Sequence, residues 1–154
     1  MSGKKTVTIR PLSPDDLERV VEIDSRIMGR PRRKFFEKRL QAALADAHGF
    51  VALALTDPSD ALQGFAIARI QNGEYGDDKR AAVLDVLGVD PDARHDGGGH
   101  ALLNGLTDIL KKLEITELRT QVDWQDLGLS RFFASTGFQL APEQILERPV
   151  SRNL

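Results

Sequence analysis

The stretch from Ala81 to Leu113 constrains the fold more than any other part of the chain. Ala81–Val89 (AAVLDVLGV) is apolar on both faces, as a strand in the middle of a sheet must be. Asp90-Pro91 stops it, and Gly97, Gly98 and Gly99 follow. His100–Leu113 then carries Leu102, Leu103, Leu106, Ile109, Leu110 and Leu113 at helical spacing, which predicts a helix with those residues inward. Glycines without Cβ atoms let the backbone turn tightly and come close to a ligand. The first N–H groups of the helix that follows have no intrahelical partner, and with the helix dipole they favour phosphate. Arg94 adds a guanidinium beside them, a group suited to phosphate oxygens.

The rest of the chain is read around this unit. Thr6–Pro11 is β-branched and alternating, so a first strand. Ser13-Pro14-Asp15-Asp16 starts a helix, with Ser13 as cap and Leu17, Val20, Val21 and Ile27 on its apolar stripe. Gly29-Arg30-Pro31 breaks it. A second helix places Phe36, Leu40, Ala43, Leu44 and Ala47 on one face and ends at Gly49. Phe50–Thr56 and Leu62–Gln71 are strands joined by the turn cluster Asp57–Asp60. Asn72-Gly73 and Tyr75–Asp78 make the next loop. After the third helix come a strand over Leu118–Trp124, a short helix over Leu127–Thr136, and short strands over Phe138–Leu140 and Ile145–Arg148. The order β-α-α-β-β-β-α-β-α-β-β predicts an α/β (α+β) domain around one mixed sheet. Residues 1–5 and 151–154 read as tails, and 6–150 as a single domain.

Bulk properties narrow the function classes. The chain has 154 residues, 41% of them hydrophobic and 29% charged, which suits one folded domain with a real core. Net charge is −2, so no general affinity for nucleic acid is expected. The basic run Arg30–Lys34, beside Phe35 and Phe36, reads as a solvated helix start that guides acidic groups. With no cysteine there is no disulfide, thiolate metal site or Cys nucleophile. His48, His95 and His100 lack zinc-ligand spacing, so no metal is expected. Met1–Lys5 does not resemble a signal peptide, and no apolar run nears the ~20 residues of a membrane span. The expected location is the cytoplasm.

The glycine segment excludes two phosphate-binding schemes. A P-loop needs Gly-Lys-Ser/Thr, and here Gly99 is followed by His100-Ala101. A dinucleotide fingerprint counted from Gly97 and Gly99 needs Gly or Ala where Leu102 stands. What remains is Arg94-x-x-Gly97-x-Gly99 after a strand ending Val89-Asp90-Pro91. That pattern, with Arg131-Phe132-Phe133-Ala134-Ser135-Thr136-Gly137-Phe138 downstream, resembles the GNAT (Gcn5-related N-acetyltransferase) superfamily from Thr6 to about Arg148.

The resemblance implies a mixed, mostly antiparallel central sheet flanked by helices, with splayed central strands. It implies N-acetyl transfer from acetyl-CoA to an amine acceptor by direct attack, without an enzyme nucleophile. Acetyl-CoA would contact Leu87, Gly88 and Val89 through its pantetheine arm, and Arg94, His95, Asp96, Gly97, Gly98, Gly99 and His100 through its pyrophosphate. Asp126 and Phe133 fall at further cofactor-contacting positions. The acceptor would lie near Asp24, Met28, Arg30 and Trp124, and Asp85, inside the central strand, is the candidate base. Asp24 reads otherwise as a solvated helix-face acid, and Asp85 as a carboxylate that lies at the sheet surface or pairs with an arginine. Many relatives carry a proton-donating Tyr where this chain has Phe133, an Asn at Asp126, and, in the ribosomal-protein class, a Glu at Gln121. Two other classes therefore stay open: a non-catalytic acyl-CoA-binding module, and an interaction domain using Arg30–Lys34. Family members often form homodimers, and nothing in the sequence fixes such an interface.

Overall fold

The computed structural model describes residues 6–72, 79–123 and 125–151, with only the backbone of residues 95 and 96. The chain divides into two compact units, Met1–Gln121 and Val122–Leu154. The first holds β1 (Thr8–Pro11), α1 (Leu17–Met28), α2 (Arg33–Ala45), β2 (Phe50–Thr56), β3 (Leu62–Asn72), β4 (Arg80–Val89), α3 (Gly98–Lys112) and β5 (Glu117–Thr120). The five strands form one sheet in the order β1-β2-β3-β4-β5. All neighbours are antiparallel except β4 and β5, which are parallel as the α3 crossover requires.

Strand alternation assigns the two faces of the sheet. Ala54, Phe65 and Ile67 pack with Val20, Ile23, Phe36 and Leu40 of α1 and α2. Phe36 meets the Phe65 ring edge-on, with centroids 5.6 Å apart. α3 packs on β2, β3 and β4, burying Leu102, Leu103, Leu106 and Leu110. Close packing also explains Gly88, where a Cβ would lie 2.6 Å from Cζ of the buried Phe65 ring. Gly88→Ala is therefore expected to destabilise the fold by about 1–3 kcal/mol through overpacking. A lower denaturation midpoint with an unchanged slope would register that loss.

Several boundaries differ from the sequence expectation. α2 stops at Ala45, because Asp46 accepts from the N–H groups of His48 and Gly49; Gly49 does not end the helix. Leu44 and Ala47 are exposed, as are Ile27 and Leu113 at the rims of their helices. α3 begins at Gly98, earlier than His100. β5 ends at Thr120, not at residue 124. The loop assigned to 73–78, including Tyr75, and the residue Trp124 lie outside the described residues.

In the second unit, α4 (Leu127–Ser135) is capped by Asp126, whose Oδ1 accepts the Leu129 N–H at 3.0 Å. Phe133 is buried, its ring 5.5 Å from Phe132 and 5.0 Å from Phe138. The strands expected over Phe138–Leu140 and Ile145–Arg148 are not formed. Leu140, Ile145 and Leu146 are exposed there, so apolar content alone did not supply a pairing partner. Among the described residues no helix is long and apolar enough to cross a membrane.

Candidate functional site

β4 is paired on both sides for only part of its length. Its parallel ladder with β5 runs from Ala81↔Glu117 to Leu84↔Thr120 and ends there, where the Thr120 hydroxyl donates to the Leu84 carbonyl at 3.0 Å. Beyond that point β3 still pairs with Val86–Val89, but no strand among the described residues takes the other side. Backbone polar groups seek partners. Leu87, Gly88 and Val89 thus lie on a strand edge that a ligand with amide groups can pair with.

A bulge stands at the head of this open stretch. Ile67 pairs with Val86 and Ala68 with Leu84, so Asp85 is the extra residue. A bulge re-aims side chains. Here two adjacent residues turn to the same side: Val86 packs against the α1–α2 core, and Asp85 reaches Arg39 of α2. Asp85 Oδ2 accepts from Arg39 Nη1 at 3.1 Å and from Arg69 Nε at 2.7 Å. The arginine-paired reading of Asp85 is the one this geometry matches.

The turn after β4 is fixed from α1. Asp90 is only 4% exposed. Its N–H donates to the Gln63 carbonyl at 2.7 Å, and its Oδ1 accepts the Asp92 N–H at 2.9 Å. Arg19 Nη2 donates to Oδ2 at 2.5 Å, and Arg26 Nη1 to Oδ1 at 2.7 Å. Burial pushes the Asp90 carboxyl up, but the Asp92 N–H and the guanidinium of Arg19 outweigh it and hold it below the usual carboxylate range. Arg26 also reaches Asp92 at 3.1 Å.

This clamp leads into a 3-10 turn over Pro91–Asp96 and then to Gly97, whose φ of 75° is left-handed. A Cβ at Gly97 would meet nothing within 4 Å, so glycine is needed there for conformation and not for space. Gly98 is the reverse: a Cβ would lie 2.5 Å from Leu55 Cδ2, so its absence lets the start of α3 settle on β2. The first bond of α3 runs from the Ala101 N–H to the Gly97 carbonyl at 3.0 Å, which points the amides of Gly98 and Gly99 outward. Arg94 is exposed beside them. Leu87–Val89 and Arg94–His100 are thereby one continuous path of backbone.

The acceptor residues expected from sequence are not all available. Asp24 is buried, not solvated, and Arg32 takes both its oxygens, Nε to Oδ2 at 2.9 Å and Nη2 to Oδ1 at 2.7 Å. Met28 and Arg30 are exposed at the end of α1 and just beyond it. Asp126 and Phe133 belong to the second unit, the first engaged in capping and the second in a ring cluster. Sequence reading missed Arg19, Arg26, Arg39 and Arg69, although Arg39 stands one turn after Phe35, over whose ring it lies at 5.3 Å. Among the described residues no group of three or more His, Cys, Asp or Glu is placed to hold a metal.

Known proteins share this fold. Solved structures of similar fold include a transcriptional regulator from Bacillus halodurans C-125 (TM-score 0.78, 17% identity, 93% of this chain and 99% of that one). An acetyltransferase from Trypanosoma brucei matches with TM-score 0.71 and 19% identity over 94% of this chain and 100% of that one. An aminoglycoside acetyltransferase from an uncultured soil metagenomic sample, in complex with sisomicin, matches with TM-score 0.70 and 18% identity over 96% and 97%. No curated protein matches the sequence. Residues 17–138, from the start of α1 to just past α4, match the acetyltransferase (GNAT) family, and the chain belongs to that family.

Proposed function

We propose that the protein is an acetyl-CoA-dependent N-acetyltransferase in which an amine acceptor attacks the thioester directly. The observation that carries this reading is the open side of β4 beyond Leu84, which runs straight into the glycine turn at the start of α3. Leu87, Gly88 and Val89 would hold a pantetheine amide chain by their backbone. Arg94, the backbone of His95–Gly99 and the His100 N–H would hold the pyrophosphate. When bound, acetyl-CoA supplies an acetyl group already activated as a thioester.

The chain's own residues bind, orient and manage protons. Asp85 receives the acceptor ammonium at Oδ1, the oxygen that neither Arg39 nor Arg69 uses, and its proton passes to solvent. The amine nitrogen then bonds to the carbonyl carbon as the carbon–sulfur bond breaks. Phe133 has no proton to give, so the leaving thiolate takes its proton from water. The same Phe133 favours a second reading, an acyl-CoA-binding module without turnover.

Calorimetric titration of acetyl-CoA, followed by thiol release with an amine panel, separates the two. The panel includes sisomicin, polyamines, amino acids and a lysine peptide. Micromolar binding with thiol release supports the enzyme, and binding without release from any amine supports the module. No binding at millimolar acetyl-CoA overturns both.

A further inference from the structure

We infer that the acceptor carries a carboxylate beside its amine, and that Arg39 and Arg69, gathered around Asp85, hold it; this rests on the acetyltransferase reading above. The arginine-paired carboxylates of the first unit that are buried (Asp16, Asp24, Asp90) or half-buried (Asp85) differ in how their charge is balanced. Asp24 is matched one to one by Arg32. Asp16 shares Arg10 with Asp60, an excess of negative charge. At Asp90 two arginines face two aspartates, since Arg26 also binds Asp92. Only Asp85, among these, faces two guanidiniums with no second acid. Both donate to the same oxygen, Oδ2.

The surplus cation is accessible and its orientation is set. The side chains of Arg39 and Arg69 are 29% and 39% exposed. Arg39 uses one N–H on Asp85 and Arg69 uses its Nε, which leaves the outer edges of both forks without a protein partner among the described residues. The Phe35 ring lies under Arg39 at 5.3 Å and under Arg32 at 4.9 Å, a stack that fixes the plane of the fork. A fork held in place loses little entropy on taking up a carboxylate.

Asp85 is the first residue beyond the last β4–β5 pair, at the head of the edge assigned to the pantetheine arm. An ammonium at Asp85 Oδ1 and a carboxylate on the outer edges of Arg39 and Arg69 describe a zwitterionic amine. A polycation such as an aminoglycoside meets the surplus charge and is disfavoured.

The test needs no turnover. Protein saturated with CoA, verified by its own titration, is titrated with ω-amino acids from glycine to 4-aminobutyrate and with the carboxamide of each. The best acid is expected to bind about tenfold or more tightly than its amide, because the amide leaves the guanidinium edges without an anion. Arg69→Gln and Arg39→Gln should each erase that preference by weakening the acid, with CoA binding unchanged and the cationic amide bound as well as before or more tightly. Arg33→Gln, which removes only an exposed partner of Glu18, should change nothing. Acid and amide binding alike, no acid binding at all, or a preference that survives both arginine variants would overturn the inference while CoA binding still supports the acetyltransferase reading. Failure of CoA itself to bind would overturn that reading and the inference with it.

Discussion

Asp90→Ala is expected to cost about 2–4 kcal/mol at neutral pH and to weaken acetyl-CoA binding by about tenfold. Asp90 sits at the end of β4 and is nearly inaccessible, yet it takes the Asp92 N–H, Arg19 and Arg26 together. Removing the carboxylate leaves the part-buried Asp92 amide, Arg19 Nη2 and Arg26 Nη1 without their acceptor, although Arg19 keeps the Leu62 carbonyl and Glu22, and the cost of such orphaned groups exceeds the value of an ordinary hydrogen bond. Part of each arginine remains in water, which keeps the loss at the lower end of the range for buried pairs. For a chain of this size the melting temperature should fall by roughly 5–10 °C. The cofactor effect follows from position, because the turn after Asp90 sets where Gly97 and the α3 terminus lie.

The pH dependence has a definite sign. The folded carboxyl of Asp90 lies below its ordinary value, so its contribution is fully present above the unfolded value of about 3.9. It is lost as the pH falls through the lower folded value. Melts of the wild type and the variant should therefore stay separated from neutral pH down to the ordinary carboxylate range and converge only in stronger acid. An unchanged melting temperature at neutral pH would show that the clamp contributes nothing.

Gly97→Glu should abolish acetyl-CoA binding, weakening it at least about 100-fold, while the protein still folds. The left-handed φ of 75° makes any side chain strained there, at about 1 kcal/mol. No atom lies within 4 Å of where the Cβ would be, so no steric loss is added. A carboxylate at that point shares the helix N-terminus with the pyrophosphate and repels it, in a place where the dipole otherwise attracts anions. Gly97→Asn separates the effects, because asparagine tolerates the left-handed region and carries no charge. It should keep affinity within a few-fold of wild type. Equal, mild losses in both variants would place the pyrophosphate elsewhere.

The site was legible in sequence where its determinants are local. A strand apolar on both faces, an Asp-Pro stop, glycines and a leucine-rich helix are adjacent in the chain, and each conveys its conformation through its own backbone preferences. β4, the glycine turn and α3 therefore stand close to where Ala81–Leu113 predicts them. β2 has the predicted bounds for the same reason.

What the fold alone decided are contacts between residues far apart in sequence. Arg39 meets Asp85 across 46 residues, Arg26 meets Asp90 across 64, and Arg19 meets Asp90 across 71. No periodicity encodes which distant charges will share a site, so the sequence gives no sign that Arg32 buries Asp24 or that Arg39 and Arg69 meet Asp85. The bulge at Asp85 and the early end of β5 are likewise matters of register between strands, which a single strand's alternation does not specify. Sequence by itself determined the backbone path from β4 through the glycine turn into α3; only tertiary packing brought two guanidiniums to one carboxylate at its head, because that depends on burial and pairing across the whole sheet.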